Sequence, residues 1–356
     1  MTKPFYHFDH VGSYLRPERL KNANSEDLTK IRQEEIAKLV KKQAEVGLAA
    51  VTDGEFNRSW WHLDFLWGLN GVEAYSQENS YKFHGEKTRT TNVRLTGKIA
   101  FNPEHSFFAD FEYLKSVLPE NVQAKVTIPS PTMFFRDNRS DNWSKFYETW
   151  EEYLTDLAQT YHETLQHYYD LGARYVQLDD TTWAFLIAQL TQEIDLEKNQ
   201  KSAEDAVFVI NKALENLPAD LRVTAHICRG NFKSTYLFEG SYAPVAKYLG
   251  QLNYDSFFLE YDDDRSGDFA PLAEIWNNRE NVGIVLGIFT SKYPELESED
   301  NIKARLDEAL QYVPLENLAL STQCGFASTE EGNKLTEDEE WNKLRHIKQI
   351  ADKIWN

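Results

Sequence analysis

Apolar residues fall along this chain in two alternating rhythms. Short runs rich in β-branched and aromatic residues give way to longer stretches in which apolar residues recur every three or four positions. The run FYHFDHVGS predicts a first strand ending at Gly12 and Ser13. LTKIRQEEIAKLVKKQAEVG follows with Ile31, Ile36, Leu39, Val40 and Val46 near a helical period, and Gly47 is placed to stop that helix. LAAVTDGEF then reads as a short buried strand delivering Asp53 and Glu55 at its end.

The rhythm breaks over residues 57–120. That segment is aromatic first (RSWWHLDFLWGLNG) and then polar with β character (KTRTTNVRLTGKIAF). It predicts a long excursion after the second strand, a helix followed by a hairpin, over the mouth of the fold. Long excursions of this kind are usually functional. Alternation resumes with VQAKVTIPSP as a strand, a helix from about Trp143 to Leu171, and ARYVQLDD as a strand ending on Asp179 and Asp180. A helix near 203–216 precedes the strand LRVTAHIC. A helix near 242–249 precedes the strand YDSFFLE. NVGIVLGIF, a helix at 301–312, the strand LENLALSTQC and a terminal helix complete the series. Eight strands alternating with helices predict an α/β fold of the (β/α)8 TIM-barrel type, a single domain over residues 1–356. A doubly wound open sheet fits less well, because no glycine-rich phosphate turn follows the first strand.

Composition narrows the partners. The formal charge is −19, which disfavours nucleic acid and anionic membrane surfaces. No apolar run is long enough for a membrane span, and the N-terminus lacks the apolar segment of a signal peptide. The expected compartment is the cytoplasm, where two cysteines stay reduced and free to act as ligands. Oligomeric state is open.

Those two cysteines are the chemical signal. His226 and Cys228 lie in TAHICRGNF, Glu260 in SFFLEYDDD and Cys324 in LALSTQCGF, each ending or directly following a β-like run. Two thiolates, an imidazole and a carboxylate make a good shell for zinc. A lone His-x-Cys is a weak signal, since free cysteines are most often inert small hydrophobes. Placement at strand ends strengthens it, because active sites of α/β folds collect there. An electron-rich, two-sulfur site activates water poorly but holds a reactive thiolate well.

The ordered motifs DHVGSYLRP, VTDGEFNRSWWHLDF, YVQLDD, HICRGNF, LEYD and STQCGF resemble the cobalamin-independent methionine synthase family. The likeness is to its catalytic C-terminal barrel, in the stand-alone single-barrel form found in bacteria, and spans Phe8 to Phe326. The resemblance implies a zinc-dependent S-methyltransferase that methylates homocysteine to methionine. It implies metal ligation by His226, Cys228, Glu260 and Cys324, and homocysteine contacts at Ser13, Glu55 and Asp179. The residues agree: an amino-acid substrate needs acids for its ammonium and donors for its carboxylate, although strand-end acids also cap helices. Trp60, Trp61 and His62 read equally as a wall over the methyl donor or as an apolar lid. Arg16, His10 and Asp180 are further donor-site or supporting candidates. The chain departs from the family pattern in two places. Aligned on Pro294, the position of an assisting histidine holds Phe289, and Arg94 is followed by Leu95 and Thr96 rather than prolines. The donor is therefore open between methyl-tetrahydrofolate and another methyl carrier. Two other functions compete. One is zinc-dependent alkyl transfer to a different thiol such as coenzyme M, whose sulfonate Glu55 and Asp179 would repel. The other is a non-catalytic zinc-binding or thiol-sensing protein, which the wide spacing of the ligands along the chain disfavours.

Overall fold

The computed structural model describes residues 3–77, 82–83, 86–87 and 90–355. Among the described residues, apart from four two-residue strands in small hairpins, the strands are β1 (Ala50–Val51), β2 (Asn70–Ser76), β3 (Thr91–Ala100), β4 (Gln123–Ala124), β5 (Val126–Pro129), β6 (Tyr175–Asp180), β7 (Arg222–Ile227), β8 (Ser256–Glu260), β9 (Gly283–Phe289) and β10 (Leu318–Thr322). Strands β10, β9, β8, β7, β6 and β5 lie in that order in one parallel sheet. Every residue of these six is buried, the pattern of parallel strands covered by helices on their outer face. Strand β1 pairs in parallel with β4, which runs almost directly into β5. Phe8 bridges to Leu320 in β10, and Ser13 bridges to Gly54 just beyond β1. Neighbours thus follow one another from β10 through residues 8–13 to β1, β4 and β5. The fold is of the (β/α)8 type.

Helices answer to their periodicity. Leu28–Val46 buries Ile36, Leu39, Val40 and Val46 and stops at Gly47, whose φ of 96° suits glycine. Trp150–Asp170 and Glu337–Trp355 likewise turn one apolar stripe inward.

Several boundaries differ from expectation, each for a local reason. The first strand is reduced to bridges, because Gly12 takes φ 126° and breaks the extended path. The helix expected from Trp143 begins at Trp150, since Thr149 is extended and its side chain caps the Glu152 N–H at 3.2 Å. A helix at Thr182–Thr191 was hidden in a run too uniformly apolar to show a period. In the 57–120 excursion, the helix is one turn at Leu63–Leu66 and the hairpin pairs β2 with β3 antiparallel. A further helix, Ser106–Ser116, follows, and residues 78–81, 84–85 and 88–89 of the excursion lie outside the described residues.

One interior ion pair knits the early segment to the sheet. Lys125 Nζ lies 3.1 Å from Asp9 Oδ1, and Tyr175 donates its hydroxyl to Asp9 Oδ2 at 2.6 Å. Burial pushes Asp9 up, but Lys125, His10 and Tyr175 more than offset it and hold the carboxyl below its usual range. Asp9→Asn would strand the buried Lys125 charge. It is expected to cost about 3–5 kcal/mol, read as a lower urea midpoint at unchanged slope.

Candidate metal centre and adjoining cavity

The four soft-ligand candidates converge. One donor atom each from His226, Cys228, Glu260 and Cys324 lies within 4.8 Å of every other, and all four residues are buried. His226 comes from β7, Cys228 follows that strand, Glu260 ends β8, and Cys324 follows β10. Backbone pairing fixes them: β7 and β8 are in register at His226–Phe258, and the Cys228 N–H donates to the Asp180 carbonyl at 2.9 Å.

Donor spacing tests the fit to a metal. A tetrahedral zinc with bonds of about 2.3 Å to sulfur requires the two sulfurs about 3.8 Å apart. Cys228 Sγ and Cys324 Sγ are 3.8 Å apart. His226 Nε2 and Glu260 Oε1 stand 3.9 Å apart, within a small closure of the slightly shorter span that nitrogen and oxygen ligands need. The donors also perturb one another electrostatically. The hydrogen bond between the sulfurs pushes Cys228 well above the usual thiol range and holds Cys324 below it. Burial alone would lower His226, but its bond to Asp179 and the charges of Cys324 and Glu260 raise it to about 9.

Asp179 ties this cluster to its neighbour. Its Oδ1 lies 2.9 Å from His226 Nδ1 and also accepts from Gln177 Nε2 at 2.8 Å. A carboxylate on the far nitrogen of a ligating histidine fixes its tautomer and orientation. A small cavity is walled by His226, Cys228 and Cys324 on one side and by Ser13, Glu55, Trp61 and Asp179 on the other.

Each of these last residues is placed by a specific contact. Ser13 Oγ accepts the Ala327 N–H at 3.3 Å, which leaves its own proton to donate. It rests against Gly325, where a Cβ would sit only 1.9 Å from Ser13 Oγ. The glycine after Cys324 is thus required by close approach. Glu55 holds φ 62°, with its carbonyl gripped by Arg16 Nη2 at 2.6 Å. Its Oε1 accepts from Thr127 at 2.9 Å and faces Arg58 Nη1 at 3.2 Å. Burial raises the Glu55 carboxyl to about 7, with Asp179 adding to the shift and Arg58 and Arg16 opposing it.

The remaining candidates separate. Trp60, Trp61 and His62 line a second cavity together with Met133, Arg136 and Phe232, and Trp61 is common to both cavities. Arg139 Nη2 lies 3.1 Å from His62 Nε2 and can only donate, so the His62 proton is on Nδ1. His10, Arg16 and Asp180 line neither cavity. His10 is bonded to the Ala50 carbonyl and the Tyr14 hydroxyl, Arg16 to four carbonyls, and Asp180 to Thr132 and the Thr182 N–H. Phe289 is buried beside His346, ring centroids 6.1 Å apart, and lines neither cavity. Arg94 sits on the exposed hairpin, paired with Glu73. Arg58 and Arg265, which grip Glu55 and Glu260, escaped the sequence reading although both follow their acids closely.

A family model described as the catalytic domain of cobalamin-independent synthase matches residues 11–353. The chain belongs to the cobalamin-independent methionine synthase family. Members of this family are homocysteine methyltransferases. The chain is 45% identical to the YxjH protein of Bacillus subtilis over 98% of this chain and 94% of the other. It is 40% identical to a putative vitamin-B12 independent methionine synthase of Listeria monocytogenes. That crystal structure superposes with a TM-score of 0.79 over 100% of this chain and 99% of that one. A family structure from Shewanella sp. W3-18-1, a B12-independent methionine synthase in complex with selenomethionine, shares the fold at 18% identity. Its TM-score is 0.72 over 98% of this chain and 97% of that one. No helix among the described residues is long and apolar enough to cross a membrane.

Proposed function

We propose that this enzyme methylates the thiol of homocysteine to give methionine, using zinc held by His226, Cys228, Glu260 and Cys324. The observation that carries this reading is the shared cavity. Three of the four soft donors and three polar residues suited to an α-amino acid wall the same small space. Zinc bound there would supply a Lewis acid that lets a thiol ionise near neutral pH, well below its free value of about 8.5.

The chain's own residues do the rest. Asp179 directs the His226 ring through Oδ1, and its Oδ2, without a partner among the described residues, faces an arriving ammonium. Glu55 is the second acid. An ammonium beside it would pull its carboxyl back below neutrality, as opposite charges do. Ser13 presents a free hydroxyl proton to the substrate carboxylate. Substrate sulfur is thereby aimed at the cysteine side of the cavity. The methyl donor occupies the adjoining aromatic cavity behind Trp61. A sulfur–carbon bond forms as the donor's bond to the methyl carbon breaks, and the electron pair leaves with the donor. Holding both reactants at attack distance supplies much of the acceleration. The selenomethionine in the Shewanella homologue, a heavier version of the product, supports an amino-acid site in this fold. Two acids in the cavity oppose a sulfonate, which sets coenzyme M second.

X-ray absorption at the zinc edge, without and with homocysteine, tests the reading. Two sulfur neighbours rising to three is the expected result. Two sulfurs unchanged by homocysteine would overturn the acceptor, and absence of zinc from metal-replete protein would overturn the metal.

A further inference from the structure

Glu260 is gripped from two directions by the protein itself. Its Oε1 accepts the Arg229 N–H at 2.8 Å and its Oε2 accepts Arg265 Nη2 at 3.0 Å. Arg265 is fixed in turn. It pairs with Asp262 at 2.9 Å and with Asp263, and it lies over the Tyr236 ring at 4.7 Å. Asp262 is shared with Lys292, and both Asp262 and Lys292 are buried at the side chain. Nothing in the chemistry above uses this Arg265–Asp262–Lys292 cluster.

The other three ligand candidates have no such partner. Among the described residues neither sulfur contacts a lysine or arginine. Cys228 accepts the Gly230 N–H at 3.4 Å and Cys324 lies 3.7 Å from the Ser328 hydroxyl. His226 faces the anionic Asp179. A permanent cation therefore sits on the second oxygen, Oε2, of one ligand of the four, and that ligand is the carboxylate, the hardest donor of the set.

We propose that Arg265 is a positioning residue that keeps Glu260 an exchangeable ligand and receives its carboxylate when the acceptor thiol takes its place. This rests on the zinc reading above. Charge balance gives the reason. Two thiolates and a carboxylate around a dication carry one net negative charge, and a third thiolate would make two unless the carboxylate leaves. Leaving requires somewhere to go in a buried site, where an unpaired carboxylate is costly. Arg265 is already in hydrogen-bond contact, so Glu260 can turn onto it without large movement. Asp262 and Asp263 hold the guanidinium still, so it does not follow the carboxylate toward the metal.

Arg265→Gln and Arg265→Lys, compared with the parent protein, test this by chelator competition for zinc and by zinc-edge X-ray absorption with and without homocysteine. The glutamine variant is expected to bind zinc about tenfold more tightly, the scale of supporting-residue effects on metal sites. Its sulfur count is expected to stay at two under homocysteine concentrations that bring the parent to three. The lysine variant keeps the charge but not the fork that reaches Glu260 and Asp262 together, and is expected to fall between. Were the glutamine variant too unstable to purify, the lysine variant alone would decide by the same two readouts. Parent-like affinity with a normal rise to three sulfurs would overturn the proposal. So would weaker zinc binding, which would make Arg265 a prop that holds Glu260 onto the metal. A parent protein that stays at two sulfurs would instead sink the homocysteine reading, and this inference with it.

Discussion

Cys324→Ser is expected to lower zinc affinity by about 10²–10³-fold and to abolish methyl transfer at ordinary zinc concentrations. Four-ligand structural zinc sites bind with about 10–16 kcal/mol, or roughly 2.5–4 kcal/mol per ligand, and a neutral hydroxyl replaces little of a thiolate's share. Competition with a chromophoric chelator measures the loss directly. The metal-free protein provides the control. Serine is close in size to cysteine, and the site at 324 is already polar, with the Ser328 hydroxyl 3.7 Å from Sγ. The melting temperature of the stripped variant should therefore stay close to that of the stripped parent. A variant that kept parental zinc affinity would remove Cys324 from the ligand set.

The second large effect separates two acids that share one cavity. Asp179→Asn is expected to weaken zinc by about 10–100-fold, because His226 loses the carboxylate that orients it. It should weaken amino-acid binding as well. Glu55→Gln is expected to leave zinc affinity within about twofold while weakening the amino acid, since Glu55 contacts Thr127 and Arg58 and no metal candidate. Their pH behaviour should differ too. Burial raises Glu55 to about 7, so below that pH the group is protonated and offers an ammonium no charge. Methionine affinity, measured by calorimetry, should therefore rise about tenfold from pH 6 to pH 8 and then level off, as a single group titrating near neutrality requires. Methionine is the probe because it has no thiol to titrate. Glu55→Gln should flatten the profile. A parent profile that is flat, or that falls with pH, would take Glu55 out of ammonium recognition.

Much of this arrangement was legible in the chain itself, for reasons that can be named. Strands β6 to β10 read clearly because parallel strands buried on both faces are rich in apolar residues, and Asp179, His226, Cys228, Glu260 and Cys324 lie at or just beyond the ends of four of them. The candidate ligand set is visible because cysteine occurs twice and both cysteines end or directly follow such runs. What the sequence concealed was partnership. Arg58 and Arg265 lie three and five positions beyond the acids they hold, on turns whose path no periodicity predicts. The bond from Asp179 to His226 crosses 47 positions and depends on the register of β6 against β7. Asp180, His10 and Arg16 looked equally chemical in one dimension. Only the side on which each hydrogen-bonds distinguishes scaffold from cavity wall.

The first segment of the barrel carries a consequence of its own. Where its neighbours are joined by peptide groups, residues 10–12 are joined by side chains. The His10 carbonyl accepts Lys125, the Val11 carbonyl accepts Gln177 at 2.8 Å, and the Gly12 carbonyl accepts the Thr52 hydroxyl at 2.5 Å. A peptide hydrogen bond survives nearly any substitution, because every residue except proline brings the same donor. These three do not. Lys125, Gln177 and Thr52 serve as replacement main chain, so their freedom to vary is that of a backbone atom. Ser13, the next residue along, inherits its position from them.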